Sequence, residues 1–417
     1  MNKMTTAEET NKTAWLGEFP PHWQVLRIKN LFREIDNRSE SGAEELLSVS
    51  HYTGVTLKRE SLENEDDHLT NAESLEGYKL VEPGDLVVNI MLAWNGSMGI
   101  SPYKGITSPA YCVYRIREGN NPEYFGYLFT TALFKAEFRR NSTGIIDSRL
   151  RLYSDKFFSI FTVVPPKEEQ DKIVEFIKAK EEKINLFIEK KKRLIELLKE
   201  QRQRVIDELL KINAETIRLK FCVTKVGSGI TPRGGAEVYQ DEGVIFLRSQ
   251  NIHNEGLRLE SVSFISEEIN ADMENSQVRF NDVLINLTGA SIGRCQIYNF
   301  DAPANVNQHV CIIRPIPDVI NSEFLMLQIQ SDRIQTLINT VEGASREGLT
   351  IDEIKNFVLF IPPIDEQKII ISLIKNETTS IDITIAKAER EIELVREYKE
   401  AMIVEAVMGK GKEIKWT

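Results

Sequence analysis

The chain has 417 residues, 41% of them hydrophobic and 28% charged, a globular composition with room for two to four compact units and more than one core. No run of about 18 apolar residues occurs, and residues 1–15 are polar without a secretory apolar stretch, so neither a membrane span nor export is expected and a cytoplasmic protein is. The net charge of −11 argues against a uniformly nucleic-acid-binding surface, because such affinity rests on Lys and Arg neutralising phosphates.

That charge is unevenly spread. Residues 34–85 carry 14 acids against 4 bases, with Glu63, Glu65, Asp66 and Asp67 reading as solvated acidic surface, whereas residues 101–156 carry 9 bases against 5 acids. A basic face can therefore coexist with an acidic total. Cys112, Cys222, Cys295 and Cys311 are scattered, with no C-x-x-C pair and no histidine at ligand spacing, which suggests neither a zinc site nor a disulfide framework.

In chain order, the turn signal Pro83-Gly84-Asp85 precedes the strand-length apolar run 86–90, and Tyr111 to Ile116 reads as a second strand. Residues 124–138 have helical spacing and lead through a Gly-containing loop into the strand before Pro165-Pro166. The Pro-Pro pair stops that strand, and Glu168 and Glu169 then sit in a first helical turn, where carboxylates favour the helix dipole. Ile173, Ile177, Ile184, Ile188, Ile195, Leu198, Val205 and Leu209 follow a heptad seam, interrupted by Lys191. A helix from about 167 to 212 would be roughly 65 to 70 Å long at ~1.5 Å per residue. Beyond it the order recurs. Asn281-Asp282 precedes the apolar run 283–287, residues 310–314 read as a strand, residues 323–338 as a helix, and Pro362-Pro363 opens a second long helix. Its seam is Ile370, Ile374, Ile381, Ile385, Ala388, Ile392, Val395, Met402 and Ala406.

The recurrence is an internal repeat. Pro165-Pro166-Lys167-Glu168-Glu169-Gln170-Asp171-Lys172-Ile173 returns as Pro362-Pro363-Ile364-Asp365-Glu366-Gln367-Lys368-Ile369-Ile370, and the offset of 197 residues holds from Ile177 and Ile374 to Ile206 and Ile403. Upstream, Leu26 to Lys29 pairs with Ile217 to Lys220, Asp85 and Asn89 with Asp282 and Asn286, and Cys112 and Arg115 with Cys311 and Arg314. Gly144, Arg149 and Leu152 pair with Gly343, Arg346 and Leu349. Offsets wander between 191 and 199, as loop insertions between shared core elements would produce.

The expected fold is α+β: a mixed α/β domain over 1–164, a long helix over 165–212, a second similar domain over 213–361 and a second long helix over 362–410. Each helix must bury its apolar stripe, and its own repeat is the economical partner. Chain order makes that pair an antiparallel coiled coil with pseudo-two-fold symmetry and one domain at each end. Two related modules a fixed distance apart suit a bipartite site on duplex DNA, since half-site spacing mirrors protein symmetry.

Candidate DNA contacts are Arg, Asn, Gln, Lys, Ser and Thr in polar loops, the first three able to bond base edges in pairs. In the second domain these are Thr231, Arg233, Arg248, Ser249, Gln250, Asn251, Asn307, Gln308 and Arg346, and in the first Lys104, Arg139, Arg140, Arg149 and Arg151. Arg115 and Arg314, repeated within strands, read as structural. Lys190 to Arg193 is compatible with phosphate contact and equally with a solvated helix face. Catalytic residues and metal ligands are not expected. None of the Pro-Pro pairs follows Asp or Asn as the [DN]-P-P-[FYW] loop of an amino-methyltransferase requires, and no G-x-x-x-x-G-K-[ST] is present.

On the duplicated Pro-Pro-x-[ED]-Glu-Gln-x-x-Ile followed by a long helix, and on Gly229-Ile230-Thr231-Pro232, Gly289-Ala290-Ser291-Ile292-Gly293 and Asn307-Gln308-His309, the chain resembles the specificity subunits of type I restriction-modification systems. The resemblance covers almost everything after residue 20. The first domain departs from it, lacking Gly-x-Thr-Pro and carrying Ser108-Pro109-Ala110-Tyr111 in place of Asn307-Gln308-His309.

The resemblance implies two target-recognition domains reading half-sites separated by unread bases, two modification subunits methylating adenine N6, and two restriction subunits for ATP-dependent cleavage. S-adenosylmethionine, ATP and Mg²⁺ would then belong to those partners and no cofactor to this chain. The alternatives are a non-catalytic coiled-coil scaffold and a recognition subunit of another multisubunit restriction or methylation system.

Overall fold

The computed structural model describes residues 13–51, 53–58, 74–146, 149–342, 348–411 and 414, with the side chains of 341 and 342 excepted. The acidic run Glu63 to Asp67, Gly343 and the candidate Arg346 lie outside the described residues. The chain forms two compact units, Met1–Lys190 with Glu391–Thr417 (unit 1) and Lys191–Arg390 (unit 2).

Unit 1 runs through strands Gln24–Arg27 (β1), Phe32–Ile35 (β2), Leu47–Ser50 (β3), Gly54–Leu57 (β4), Lys79–Val81 (β5), Leu86–Asn89 (β6), Met98–Ile100 (β7), Gly105–Thr107 (β8) and Tyr111–Ile116 (β9). Helices Pro122–Phe129 (α1), Ala132–Asn141 (α2) and Ser154–Ser159 (α3) follow, then strand Phe161–Val164 (β10) and the long helix Lys167–Leu209 (α4). The order β2-β9-β6-β7 forms an antiparallel sheet. All four residues of β6 are buried because both faces of this sheet are covered. Leu86 and Val88 pack under the aromatic side chains of α1 to α3, whereas Val87 and Val113 meet Leu47, Val49, Val55 and Val81 of a second, smaller layer.

Unit 2 holds strands Glu215–Arg218 (β11), Val223–Ser228 (β12), Val244–Leu247 (β13), Ile252–His253 (β14), Gly256–Leu257 (β15) and Ser263–Ile265 (β16), then helix Glu267–Asp272 (α5). Next come Gln277–Val278 (β17), Val283–Asn286 (β18), Cys295–Ile297 (β19), Ala304–Val306 (β20) and Val310–Pro315 (β21). Helices Ser322–Gln330 (α6), Asp332–Glu342 (α7) and Ile351–Lys355 (α8), strand Val358–Ile361 (β22) and helix Ile364–Val407 (α9) complete the described chain. Its antiparallel sheet β12-β21-β18-β19 has the same order of elements as that of unit 1, and here the second layer is the mixed sheet β16-β13-β20-β17, in which β13 and β20 run parallel. Val283 and Ile285 face the helices, and Leu284 and Ile312 face the second layer.

The sequence expectation of single helices over 124–138 and 323–338 is corrected. Each is two helices, broken where Thr131 and Ser331 turn their hydroxyls to the backbone N–H of Phe134 and Ile334 at 3.4 and 3.5 Å. These N-caps satisfy amides that would otherwise lack a partner, and hydrophobic periodicity alone does not register them.

The repeated residues form two devices in each unit. Asp85 accepts from Arg115 Nε and Nη2, both at 2.7 Å, and caps Glu82 N–H at 2.9 Å. Asp282 accepts from Arg314 Nε and Nη2 at 2.8 and 2.7 Å and caps Arg279 N–H at 2.7 Å. The carboxylates are buried, and two charge-assisted bonds hold each to its strand partner. The second device is the glutamine after each Pro-Pro. Gln170 Oε1 accepts from Asn121 N–H at 2.7 Å while its amide donates to the Pro165 carbonyl at 2.8 Å. Gln367 repeats this with Asn321 N–H and the Pro362 carbonyl, both at 2.9 Å. Asn121 and Asn321 in turn cap α1 and α6. The first turn of each long helix is thereby fixed to the start of the helix that covers the sheet.

Within unit 1, Glu181 of α4 pairs with Lys399 of α9 at 3.0 Å, and Ile173, Ile177 and Ile184 share a core with Met402, Ala406 and Val407. Within unit 2, Arg202 of α4 pairs with Asp382 of α9 at 2.7 Å, Asn213 reaches Glu366 at 3.4 Å, and Ile206 shares a core with Ile370, Ile371 and Ile374.

Candidate nucleic-acid interface

In unit 2 the predicted residues gather around the end of β18. After β12 the chain passes over the link between β20 and β21, and Gly229 N–H donates to the Val310 carbonyl at 3.0 Å. Only glycine fits there, since a Cβ would stand 2.0 Å from the Val306 carbonyl oxygen and 2.5 Å from that of Asn307. This close approach carries Thr231 to Gln308, where the Thr231 hydroxyl donates to Oε1. Gly229→Ala is therefore expected to lower the stability of unit 2 by about 2 kcal/mol, in the range for overpacking against atoms that cannot yield. Urea unfolding checks the value, and faster amide exchange at 229–232 locates it.

The remaining candidates fall into two classes. Asn251 and Asn307 are buried and bonded within their own loops: Asn251 accepts from Arg248 N–H and donates to the Arg258 carbonyl, both at 2.9 Å, and Asn307 accepts from His309 N–H at 3.2 Å. Thr231, Arg233, Gln250 and Gln308 are exposed, and Ser249 is half-buried. Arg248 is half-buried with its guanidinium 5.5 Å from the Tyr239 ring, an arrangement that stiffens it beside the others.

Ser249 and Gln250 share an open depression with Thr288, the turn Gly289–Ser291 and His309. The depression also contains His253, Arg258 and Arg294, which sequence reasoning missed. Its lining has two arginines, two histidines and no carboxylate, although Glu255 borders it alongside Arg258 and Arg294. Asn286, whose repeat partner is Asn89, ties it together by donating from its amide to the Ser249 carbonyl at 2.9 Å. The sequence signal for these residues was the Gly289 to Gly293 stretch, which marks the turn but not which side chains it faces.

In unit 1, Arg139, Arg140 and Arg151 lie at the corresponding end of β6. Arg139 sits over the Trp94 ring at 5.2 Å, on the turn Ala93–Asn95 that occupies the place of Gly289–Ser291. Arg140 pairs with Glu137 at 2.7 Å. Arg151 is joined to Thr143 by backbone bonds of 2.9 and 3.0 Å, and Leu152 N–H then reaches the Ile90 carbonyl at 2.9 Å. Arg149 is exposed in the same 143–151 loop, beside a fully exposed Ile145. Lys104 is not brought to this group; it lies between β7 and β8, 3.0 Å from Glu82. An apolar groove of about 610 Å³, lined by Met98, Ile100, Pro122 and Tyr127 among others, contains none of the candidates.

Among the described residues no group of three His, Cys, Asp or Glu could hold a metal ion, and no helix is long and apolar enough to cross a membrane. The four cysteines are buried and free, and burial pushes the Cys311 thiol up to about 12. They pack as small hydrophobes.

Residues 214–394 match the family described as the type I restriction modification DNA specificity domain. The chain is 27% identical over 169 residues to the EcoBI type I restriction enzyme specificity subunit of Escherichia coli, an alignment covering 40% of this chain and 35% of that relative. It thus spans about a third of the length of the curated relative it matches. Among solved structures, a chain described in terms of the complex assembly and conformational transition of the type I R-M system has the same fold, with a TM-score of 0.69 at 16% identity over 94% of this chain and 99% of that one. The HsdS subunit of Thermoanaerobacter tengcongensis, also 16% identical, covers 94% of this chain and 98% of its own length at a TM-score of 0.48.

Proposed function

We infer, because residues 214–394 match the type I restriction modification DNA specificity domain, that this chain is the subunit that chooses the DNA sequence on which such a system acts. The observation that carries this is the carboxylate-free lining at the end of β18, where two arginines and two histidines surround hydroxyl and amide side chains within the matched segment 214–394. Cationic groups neutralise phosphates, and Arg and Gln read base edges in the major groove.

Unit 2 reads one half of a bipartite duplex target and unit 1 the other, the latter with Arg139, Arg140, Arg149 and Arg151. The shared Asp-Arg and Gln-Asn devices support treating the two units as repeats of one pseudo-symmetric plan, while their different loops give them different half-sites. The Arg202–Asp382 and Asn213–Glu366 contacts within unit 2, and Glu181–Lys399 within unit 1, support an antiparallel coiled coil of α4 and α9. These helices, of 43 and 44 residues, set the number of unread bases between half-sites and dock the methyltransferase subunits.

On this reading the chemistry is carried by partners. Two modification subunits methylate adenine N6 with S-adenosylmethionine, and two restriction subunits supply ATP- and Mg²⁺-dependent cleavage. The complex assembly named for the solved relative supports such a partnership. This chain contributes binding and register, and its setting is the cytoplasm where that DNA lies.

Methylation mapping of a host carrying the chain with its modification subunits tests the proposal. One asymmetric bipartite motif is expected, and exchanging residues 214–361 for those of a relative with another specificity should change one half of it only. A contiguous motif, or a change in both halves, would overturn the assignment.

A further inference from the structure

The turn after β6 and the turn after β18 correspond residue for residue at an unbroken offset of 197, Asn89 with Asn286, Gly96 with Gly293 and Ser97 with Arg294. Asn89 N–H donates to the Ser97 carbonyl and Asn286 N–H to the Arg294 carbonyl, at 3.0 and 2.9 Å. A side chain from a covering helix lies against the glycine in each unit. In unit 2 it is Gln335 of α7: a Cβ on Gly293 would stand 2.9 Å from its Oε1, and its amide donates to the Gly293 carbonyl at 3.2 Å. In unit 1 it is Lys135 of α2, whose Nζ would stand 3.2 Å from a Cβ on Gly96. The caps Thr131 and Ser331 precede Lys135 and Gln335 by the same interval, which fixes the equivalence.

The charge has therefore changed places between the repeats. Unit 1 has a half-buried lysine on the helix and a buried serine at the turn, whereas unit 2 has a neutral amide on the helix and a half-buried arginine at the turn. Each unit keeps one cation beside the same turn, supplied from a different element. Neither cation is used by the fold: among the described residues the side chains of Lys135 and Arg294 form no ion pair and no hydrogen bond. Glu137, on the helix of Lys135, is held by Arg140 at 2.7 Å, and Glu255, which borders the depression of Arg294, pairs with neither Arg294 nor Arg258. A half-covered cation has lost part of its hydration, and here no carboxylate of the protein compensates it.

An external anion would. The loops that carry the candidate base contacts differ between the units, so a feature kept in both is one that serves any sequence, and the phosphate backbone is the part of DNA that does not vary. Resting on the reading of this chain as the subunit that chooses a DNA sequence, we propose that Lys135 in unit 1 and Arg294 in unit 2 each neutralise one backbone phosphate of the half-site their unit binds. Lys135 stands on a helix packed over the sheet and Arg294 immediately before β19, so each gives its half-site a fixed point of attachment while the reading loops vary.

The test uses the full chain with its modification subunits, a duplex carrying the mapped target and a random duplex of equal length, with affinity followed against salt concentration. Lys135→Gln and Arg294→Gln should each weaken binding of both duplexes about three- to five-fold and lower the slope of log affinity against log salt by about one. Arg294→Lys should keep the slope. Adding Gln335→Lys to Arg294→Gln puts the cation on the helix, as in unit 1, and should restore affinity and slope together; a packing role for Arg294 would not be rescued in this way. Lys135→Gln installs the residue that unit 2 carries at that place, so the arm in unit 1 stands apart from any folding loss at Arg294.

A single neutral methylphosphonate, moved along the half-site assigned to unit 2, should weaken wild type at one position and leave Arg294→Gln unaffected there. Weakening confined to the target duplex would make these residues base contacts and overturn the proposal. So would unchanged salt slopes, or no restoration by Gln335→Lys. If wild type binds the two duplexes equally, the sequence-choosing role falls as well; if it prefers the target while the slopes stay unchanged, only the phosphate contacts are lost.

Discussion

Gln367→Leu should lower the stability of unit 2 by about 3 to 6 kcal/mol, the largest effect expected of a single substitution outside the apolar core. Gln367 is fully buried and makes three hydrogen bonds, accepting from Asn321 N–H and donating to the carbonyls of Pro362 and Val319, each at 2.9 Å. Leucine matches its volume and supplies none of them. Each backbone group left buried without a partner costs about 1 to 3 kcal/mol, and the loss falls on a domain whose whole stability is of order 5 to 15 kcal/mol. Denaturant unfolding of the full chain measures it, and faster amide exchange at Asn321 distinguishes loss of this bond from a general loosening. Gln367→Glu keeps the acceptor for Asn321 but loses both donors, and should fall between leucine and wild type only if the Asn321 bond is the principal one.

Asp282→Ala is expected to cost about 3 to 5 kcal/mol, the range for removing one partner of a buried ion pair. The carboxylate is 1% exposed and Arg314 18%, so solvent does little to compensate an orphaned guanidinium. The same change releases Arg279 N–H, capped at 2.7 Å, and loosens the turn into β18. A double substitution to apolar residues of similar volume, Asp282→Leu with Arg314→Met, should recover much of the loss, because it removes the uncompensated charge. Thermal melts of the two variants decide the point: equal destabilisation would mean that the turn, not the charge pair, carries the energy.

Much of this architecture was legible in the sequence because it is local or duplicated. The heptad seams of α4 and α9 recur with a period any reader can count, and the all-apolar runs of β6 and β18 announce strands covered on both faces. Repetition within strands marks Arg115 and Arg314 as structural in the sequence, whereas Asp85 and Asp282 stand there only as a repeated pair, and their role as the carboxylate partners of those arginines comes from the fold. What escaped was set by contacts distant in sequence. Gln170 reaches Asn121 from 49 residues away, and Thr231 reaches Gln308 from 77. The breaks at Thr131 and Ser331 were hidden because apolar spacing continues across them while the hydroxyl caps interrupt the backbone. In the candidate interface, arginines and amides are picked out by type, but type does not separate Asn251, enclosed within its loop, from Gln250, which is exposed beside it.

Unit 1 is assembled from two stretches of chain, 1–190 and 391–417, whereas unit 2 is the continuous stretch 191–390. The phenol of Tyr124 donates to the Val407 carbonyl at 2.8 Å, and Met402, Ala406, Val407 and Met408 sit in the same core as Phe125 and Ile173. On the ribosome this reverses the usual order of completion. The segment made first waits, its aromatic core uncapped, until the last turns of α9 emerge, and the segment made second is the first able to close. Exposure of that core during synthesis, and any demand for a chaperone, should therefore scale with the time taken to translate unit 2.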